Sequence, residues 1–233
     1  MGKSALLEML RARHQARTIV LPPEKLALSH IANSDILRFA HEVGAELNVF
    51  FRLLWRHVIA VEILTVRFDL DSENAVTQLL DKLALSSKGK RRAKALAYLK
   101  EWAPSFWKES DYRIKEITQR LEREIAAGAK IGPITAGLAD KLTTEVKTEV
   151  CQCVQHVVNQ GQVRELADIL PLIDDVLDDP QKCYYVLIDR LDEGWIHDNL
   201  RFRLIRSLVE TAREFASVTN AKVVITMRTD LHR

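Results

Sequence analysis

Two stretches of the chain carry residue types that suit phosphate chemistry. The first is Gly2-Lys3-Ser4. A glycine leaves backbone N–H groups open to a phosphate, a lysine ammonium neutralises terminal phosphates, and a serine hydroxyl can ligate magnesium. A helix starting here would aim its positive end at the same anion. The second is the apolar run Tyr184 to Ile188 with Asp189 at its end, inside YYVLIDRLDEGW. An apolar strand ending in an acid is how a magnesium-binding carboxylate is set at a sheet edge. A third stretch, KVVITMRTD, puts Arg228 just beyond another apolar run, where a guanidinium would sense a γ-phosphate. Gly-Lys-Ser alone recurs by chance, and an apolar strand ending in Asp is more often a plain core strand. Their joint order carries the weight, because open parallel sheets gather ligands at the C-terminal edges of their strands.

Positioning these groups takes a helix at the start, strands before Asp189 and Arg228, and helices over both sheet faces. From Lys3 to about His14, Leu6, Leu7, Met9 and Leu10 cluster at helical spacing. Thr18-Ile19-Val20-Leu21 is β-branched and stopped by Pro22-Pro23, which predicts a buried strand. Ser34 to Phe68 sustains helical periodicity, with Gly44 a break point. Further helices are predicted over residues 71–83, 91–102 and about 111–127, with Ser86 to Lys90 a polar linker and Gly128 to Gly137 a loop. Helices resume over about 138–158 and 163–177, and an acidic run closes at Pro180. Then the period changes. Tyr184 to Ile188 and Lys222 to Met227 predict strands, joined by a helix from about Asp198 to Val218. This βαβ unit implies a right-handed parallel connection. The expected fold is α/β, with residues 1–24 and 180–233 forming a parallel-sheet core and 25–179 a large all-helical insert between its strands.

Composition narrows the classes. With 233 residues and 47% hydrophobic side chains, the chain can bury a sizeable core. Its 34 basic and 32 acidic side chains nearly cancel, so it is not marked as a whole for nucleic acid or a membrane surface. Cys151, Cys153 and Cys183 form neither a disulfide framework nor a zinc spacing and read as reduced thiols of a cytoplasmic protein. The most apolar stretch, FFRLLWRHVIAVEIL, is interrupted by Arg52, Arg56, His57 and Glu62, unlike a spanning helix. Leu6 stands where a myristoylation signal wants Ser or Thr.

At GKS and the helix after it, at IVLPPE, at RLLWRHVIAVEIL, at YYVLIDRLDEGW with LRFRLIRSLVETAREF, and at KVVITMRTDL, the chain resembles a bacterial family of P-loop ATPases. That family belongs to the ASCE class and is related to the STAND and KAP groups of regulatory NTPases. The resemblance covers most of the chain, and LDEGW with the following helix is its most specific part. It implies an AAA-like P-loop fold that binds ATP and Mg2+. Gly2, Lys3 and Ser4 would hold phosphate, Ser4 and the Walker B acid Asp189 magnesium, and Arg228 would be the sensor arginine. The implied activity is ATP hydrolysis that switches the conformation of a larger regulatory or defence-type protein.

Two positions depart from the family pattern. Arg190 stands where many relatives carry a second acid, so the candidate bases are Asp192 and Glu193 in the following loop. Acids placed so are more often solvated turn residues or a helix N-cap. The glycine-rich start of the phosphate loop and the strand before it also do not precede Gly2. As the resemblance implies, that strand would lie beside the KVVITM strand, which otherwise becomes an apolar edge. A fragment is therefore expected, with further N- and C-terminal segments of the same protein as partners and weak ATP binding alone.

Other signals have plainer accounts. Lys88, Lys90, Arg91, Arg92 and Lys94, followed by Tyr98, Trp102, Phe106 and Trp107, suit a nucleic-acid surface, but the rings recur near helical spacing as core aromatics would. Arg201, Arg203 and Arg206 suit an arginine finger in a homo-oligomer, or simply the polar face of a helix. His57 and His156 lack partners at metal spacing. The runner-up functions are a nucleic-acid motor or repair ATPase, and a helical interaction module whose nucleotide site has decayed.

Overall fold

The computed structural model describes residues 2–22, 35–70, 87–129, 142–145, 147–148, 151, 160–191 and 198–227. Three strands form one all-parallel sheet in the order β1 (Thr18–Leu21), β2 (Tyr184–Ile188), β3 (Ala221–Ile225). The fold is thus mixed helix and strand, with the expected parallel pairing. Leu21 pairs with Ile188 and Ile188 with Ile225, so the three C-terminal tips end level. β2 is central and buries Tyr184, Val186, Leu187 and Ile188, as a strand covered on both faces must. β3 ends at Ile225 rather than Met227 because its partner β2 ends there, although the Thr226 N–H still donates to the Ile188 carbonyl at 2.9 Å.

Helix α1 (Lys3–Arg13) reaches β1 through a tight turn over Gln15–Arg17, in which the Thr18 hydroxyl donates to the His14 carbonyl at 2.9 Å. His14 stacks on Tyr185 at 4.8 Å, and Arg17 donates to the Gln181 carbonyl at 3.1 Å. These contacts tie the start of β1 to the start of β2. α2 (Asp35–Glu42) and α3 (Asn48–Phe68) are separated at Gly44, whose φ of 86° favours glycine. The predicted break is therefore a left-handed turn.

The predicted linker is corrected by the structure. Ser87 to Lys90 belong to α4 (Ser87–Ala129), and the segments predicted as separate helices at 91–102 and 111–127 are one continuous helix that runs through Pro104. Its polar start is held by ion pairs and burial. Arg91 and Arg92 pair with Asp175 at 2.6 Å and Asp178 at 3.2 Å, and Gly89 is buried. The carboxylates belong to the end of α5 (Gln160–Val176) and the turn after it, which contains the acidic run. α6 (Asp198–Phe215) connects β2 to β3 and stops before the predicted Val218, its last residues tightening into short turns. The predicted helix over 71–83, His156 and most of 138–158 lie outside the described residues. Among the described residues no helix is long and apolar enough to cross a membrane.

One apolar core joins the sheet to the helices of residues 25–179. Ile19, Val186 and Ile188 share it with Phe39, Phe51, Trp55, Ile59 and Leu204. α3 packs on β1, β2 and α6. Trp55 is fully buried, and its indole N–H donates to the Leu204 carbonyl at 2.9 Å. Nearby, Glu214 on α6 accepts from Arg52 and, at 2.6 Å, from Arg56. His57 is buried, stacks on Phe106 at 3.8 Å and lies 2.7 Å from the Tyr98 hydroxyl. It is a packing histidine, as the lack of ligand partners suggested.

His57 and Glu214 each give the stability of the fold a dependence on pH. Burial lowers the His57 pKa from 6.5 to about 3, so the folded state stays unprotonated while the unfolded chain takes up a proton. Its contribution is full above pH 6.5 and is lost as pH falls towards 3, at up to about 1.4 kcal/mol per pH unit. His57→Phe should flatten the pH dependence of urea-unfolding stability between about pH 6.5 and 5; equal slopes would exclude a neutral buried imidazole. For Glu214, burial raises the carboxyl pKa, but hydrogen bonds and charge from Arg56 and Arg52 outweigh it and hold the group below 4.5. Glu214→Gln should cost about 1–2 kcal/mol at neutral pH, a difference that shrinks as acid protonates the wild-type carboxylate. The same denaturation curves would reject this if the two proteins were equally stable at pH 7.

Candidate functional site

Ser4 and Asp189, 185 residues apart in sequence, meet at the C-terminal edge of the sheet. The Ser4 hydroxyl donates to Asp189 Oδ2 at 3.2 Å. The Thr226 hydroxyl donates to the other carboxylate oxygen, Oδ1. The level strand tips explain the second contact, because the residue after Ile188 stands opposite the residue after Ile225. Buried Leu7 anchors α1 and leaves its first turn, with Ser4, beside the tip of β2. Gly2 caps that helix without a side-chain hydrogen bond, and no acid occupies the first turn. The early N–H groups are thus left to a ligand or to water.

The carboxylate is held charged. Burial raises its pKa, but hydrogen bonds from Thr226, the Arg190 backbone and Ser4, with the Arg190 charge, together bring it below its ordinary value. Arg190 follows with φ at 60°, a left-handed conformation unusual for a side chain of its size. A cavity of about 410 Å³ opens beside the pair. Its polar lining is Ser4, Glu8, Arg11, Asp189 and Arg190, and its apolar wall is Leu7, Val20, Leu21, Pro22 and Leu187.

Among the described residues no group of three or more His, Cys, Asp or Glu side chains could hold a metal by itself. A carboxylate with flanking hydroxyls suits a hard cation that keeps several waters and shares a phosphate, as magnesium does. It does not suit zinc. Gly2 has φ at −114°, and a Cβ there would meet nothing within 4 Å, so the fold does not require glycine at this position.

Of the residues singled out from sequence, Ser4 and Asp189 are brought together, Gly2 and Lys3 stand at the head of α1, and Asp192, Glu193 and Arg228 lie outside the described residues. Thr226, Arg11 and the cavity role of Arg190 were missed. Thr226 had a readable signal, since both strands are apolar runs closed by a polar residue and level strands would pair those ends. Elsewhere, Tyr98, Trp102 and Phe106 are buried in the core and offer no stacking platform. Arg203 reaches the Ala45 carbonyl at 3.4 Å and Arg206 pairs with Glu210 at 3.1 Å, so both are engaged within the chain. No protein-family model, curated protein or solved structure matches the chain.

Thr226→Val keeps the shape of the side chain and deletes the hydrogen bond to Asp189. The Asp189 carboxyl should then titrate at higher pH than in the wild type when followed by NMR of carboxyl-labelled protein. An unchanged midpoint would show that Thr226 does not hold the carboxylate.

Proposed function

We propose that this chain carries the phosphate- and magnesium-binding part of an ASCE-class P-loop NTPase that binds and hydrolyses MgATP. The observation that carries the proposal is the Ser4 to Asp189 hydrogen bond, which joins a Gly-Lys-Ser helix start to an acid at a strand tip. A coincidental tripeptide has no reason to fold against that acid. Further support comes from the sheet. An ASCE core places one more strand beside β3, and among the described residues β3 pairs on one side only, with Val223, Val224 and Ile225 half-buried.

The residues divide the work by chemistry. The head of α1 offers N–H donors to the phosphates, with Lys3 as their counter-charge. Asp189 stays ionised, and the two hydroxyls fix its orientation. Magnesium bound there would screen the phosphate charge and polarise the terminal phosphoryl group. Asp192 and Glu193, just past the β2 tip, are the proposed bases, and Arg228, two residues beyond Thr226, the proposed sensor. The protein to which this serves as a switch would be a bacterial cytoplasmic regulator or defence NTPase.

A fluorescent ATP analogue titrated into the chain tests this. Weak binding that requires magnesium is expected, weakened at least tenfold by Ser4→Ala and by Asp189→Asn. Gly2→Ala should leave the melting temperature unchanged and still weaken the nucleotide, since only a ligand would need the open backbone there. Equal binding by wild type, Ser4→Ala and Asp189→Asn would place any nucleotide elsewhere and end the proposal.

A further inference from the structure

The cavity beside Asp189 extends well past the groups that a nucleotide phosphate would use. Ser4, Leu7, Glu8 and Arg11 fall on one face of α1 and line it in succession. Arg11 stands seven positions after Ser4 on the helix, a rise of about 10 Å. Arg190 lines the same space, and Arg11 and Arg190 are the cations among its described lining residues. Arg190 lends its charge to Asp189, whereas Arg11 has no part in the site built on Lys3, Ser4 and Asp189.

The left-handed backbone of Arg190 adds a second observation. A non-glycine residue takes this conformation at some cost, and such cost collects where a side chain has to be aimed. The wall behind the arginines is apolar, formed by Val20, Leu21, Pro22 and Leu187. Glu8 lies 3.8 Å from Arg11, with the two side chains 73% and 57% exposed. So exposed a pair contributes little and is readily exchanged for a better anion. Planar guanidiniums grip phosphate oxygens in pairs, and a cavity of this volume admits a small organic molecule besides.

We propose that the outer half of this cavity is a second anion subsite, in which Arg11 and Arg190 hold a phosphate group of a ligand bound beside the nucleotide. That the neighbour is a nucleotide rests on the function proposed above, whereas the subsite is built from Arg11 and Arg190 alone. Inorganic phosphate is the probe, titrated calorimetrically into the full chain at low ionic strength, with and without saturating MgADP. Saturable binding is expected in both conditions, weakened at least fivefold by Arg11→Gln and by Arg190→Asn, a replacement suited to left-handed backbone. Arg13→Gln, on the same helix but outside the cavity lining, should bind phosphate as the wild type does.

Equal weakening by Arg13→Gln would mean a diffuse basic field and overturn the subsite. So would displacement of phosphate by MgADP, which would put both at one position, or an absence of saturable binding. If MgADP itself does not bind, the nucleotide proposal fails, and the phosphate titration without nucleotide still decides the role of the two arginines.

Discussion

A three-stranded parallel sheet cannot stand in water unless both faces are covered, and that constraint organises this protein. β2 lies at the centre and exposes almost nothing, so helices from distant parts of the chain must pack around it. α3 supplies one such cover through the core it shares with β1, β2 and α6. The described helices between β1 and β2 are therefore no appendage to the sheet. Trp55 makes the dependence specific, since its buried indole needs the Leu204 carbonyl as an acceptor and so orients α3 against the crossover helix.

The candidate site depends on the same constraint. Level strands bring Asp189 and Thr226 opposite each other, and the packing of α1 through Leu7 brings Ser4 to the free side of the carboxylate. Each contact uses a side chain whose own element is held by buried apolar neighbours. Two hydroxyls and a backbone N–H, with the neighbouring Arg190 charge, are enough to keep the acid ionised against its partial burial. The charge at the sheet edge is thus a product of strand register as much as of residue identity.

The parts of this architecture that were legible in sequence were those with a sharp change of period. β1 and β2 could be bounded to the residue because proline or polar side chains flank short apolar runs, and Gly44 could be read as a break because its neighbours keep helical spacing on both sides. α4 was misread at Ser87 to Lys90, where a polar start suggested a linker. Its stability there comes from Asp175 and Asp178, carboxylates more than eighty residues away, which local pattern cannot show. Ser4 and Asp189 were legible as chemistry, but their meeting depends on strand order. Thr226 escaped because the predicted strand ran on to Met227 and so hid that its hydroxyl stands at the tip beside Asp189, and Arg11 because nothing local distinguishes it from Arg13 or Arg17.

The pairing of β1 with β2 also has a consequence for how the chain is made. Arg17 meets Gln181 across 164 residues, and at about 5–20 residues per second a ribosome takes roughly ten to thirty seconds to supply the later strand. Through that interval β1 has no sheet to join, while α3 and α4 can already form from local hydrogen bonds. The nascent protein therefore carries helices while β1 is still unpaired, and this part of the sheet closes only once β2 has emerged. Long-range closure of this kind is slow, and the apolar side chains of Ile19 and Leu21 stay uncovered by β2 meanwhile.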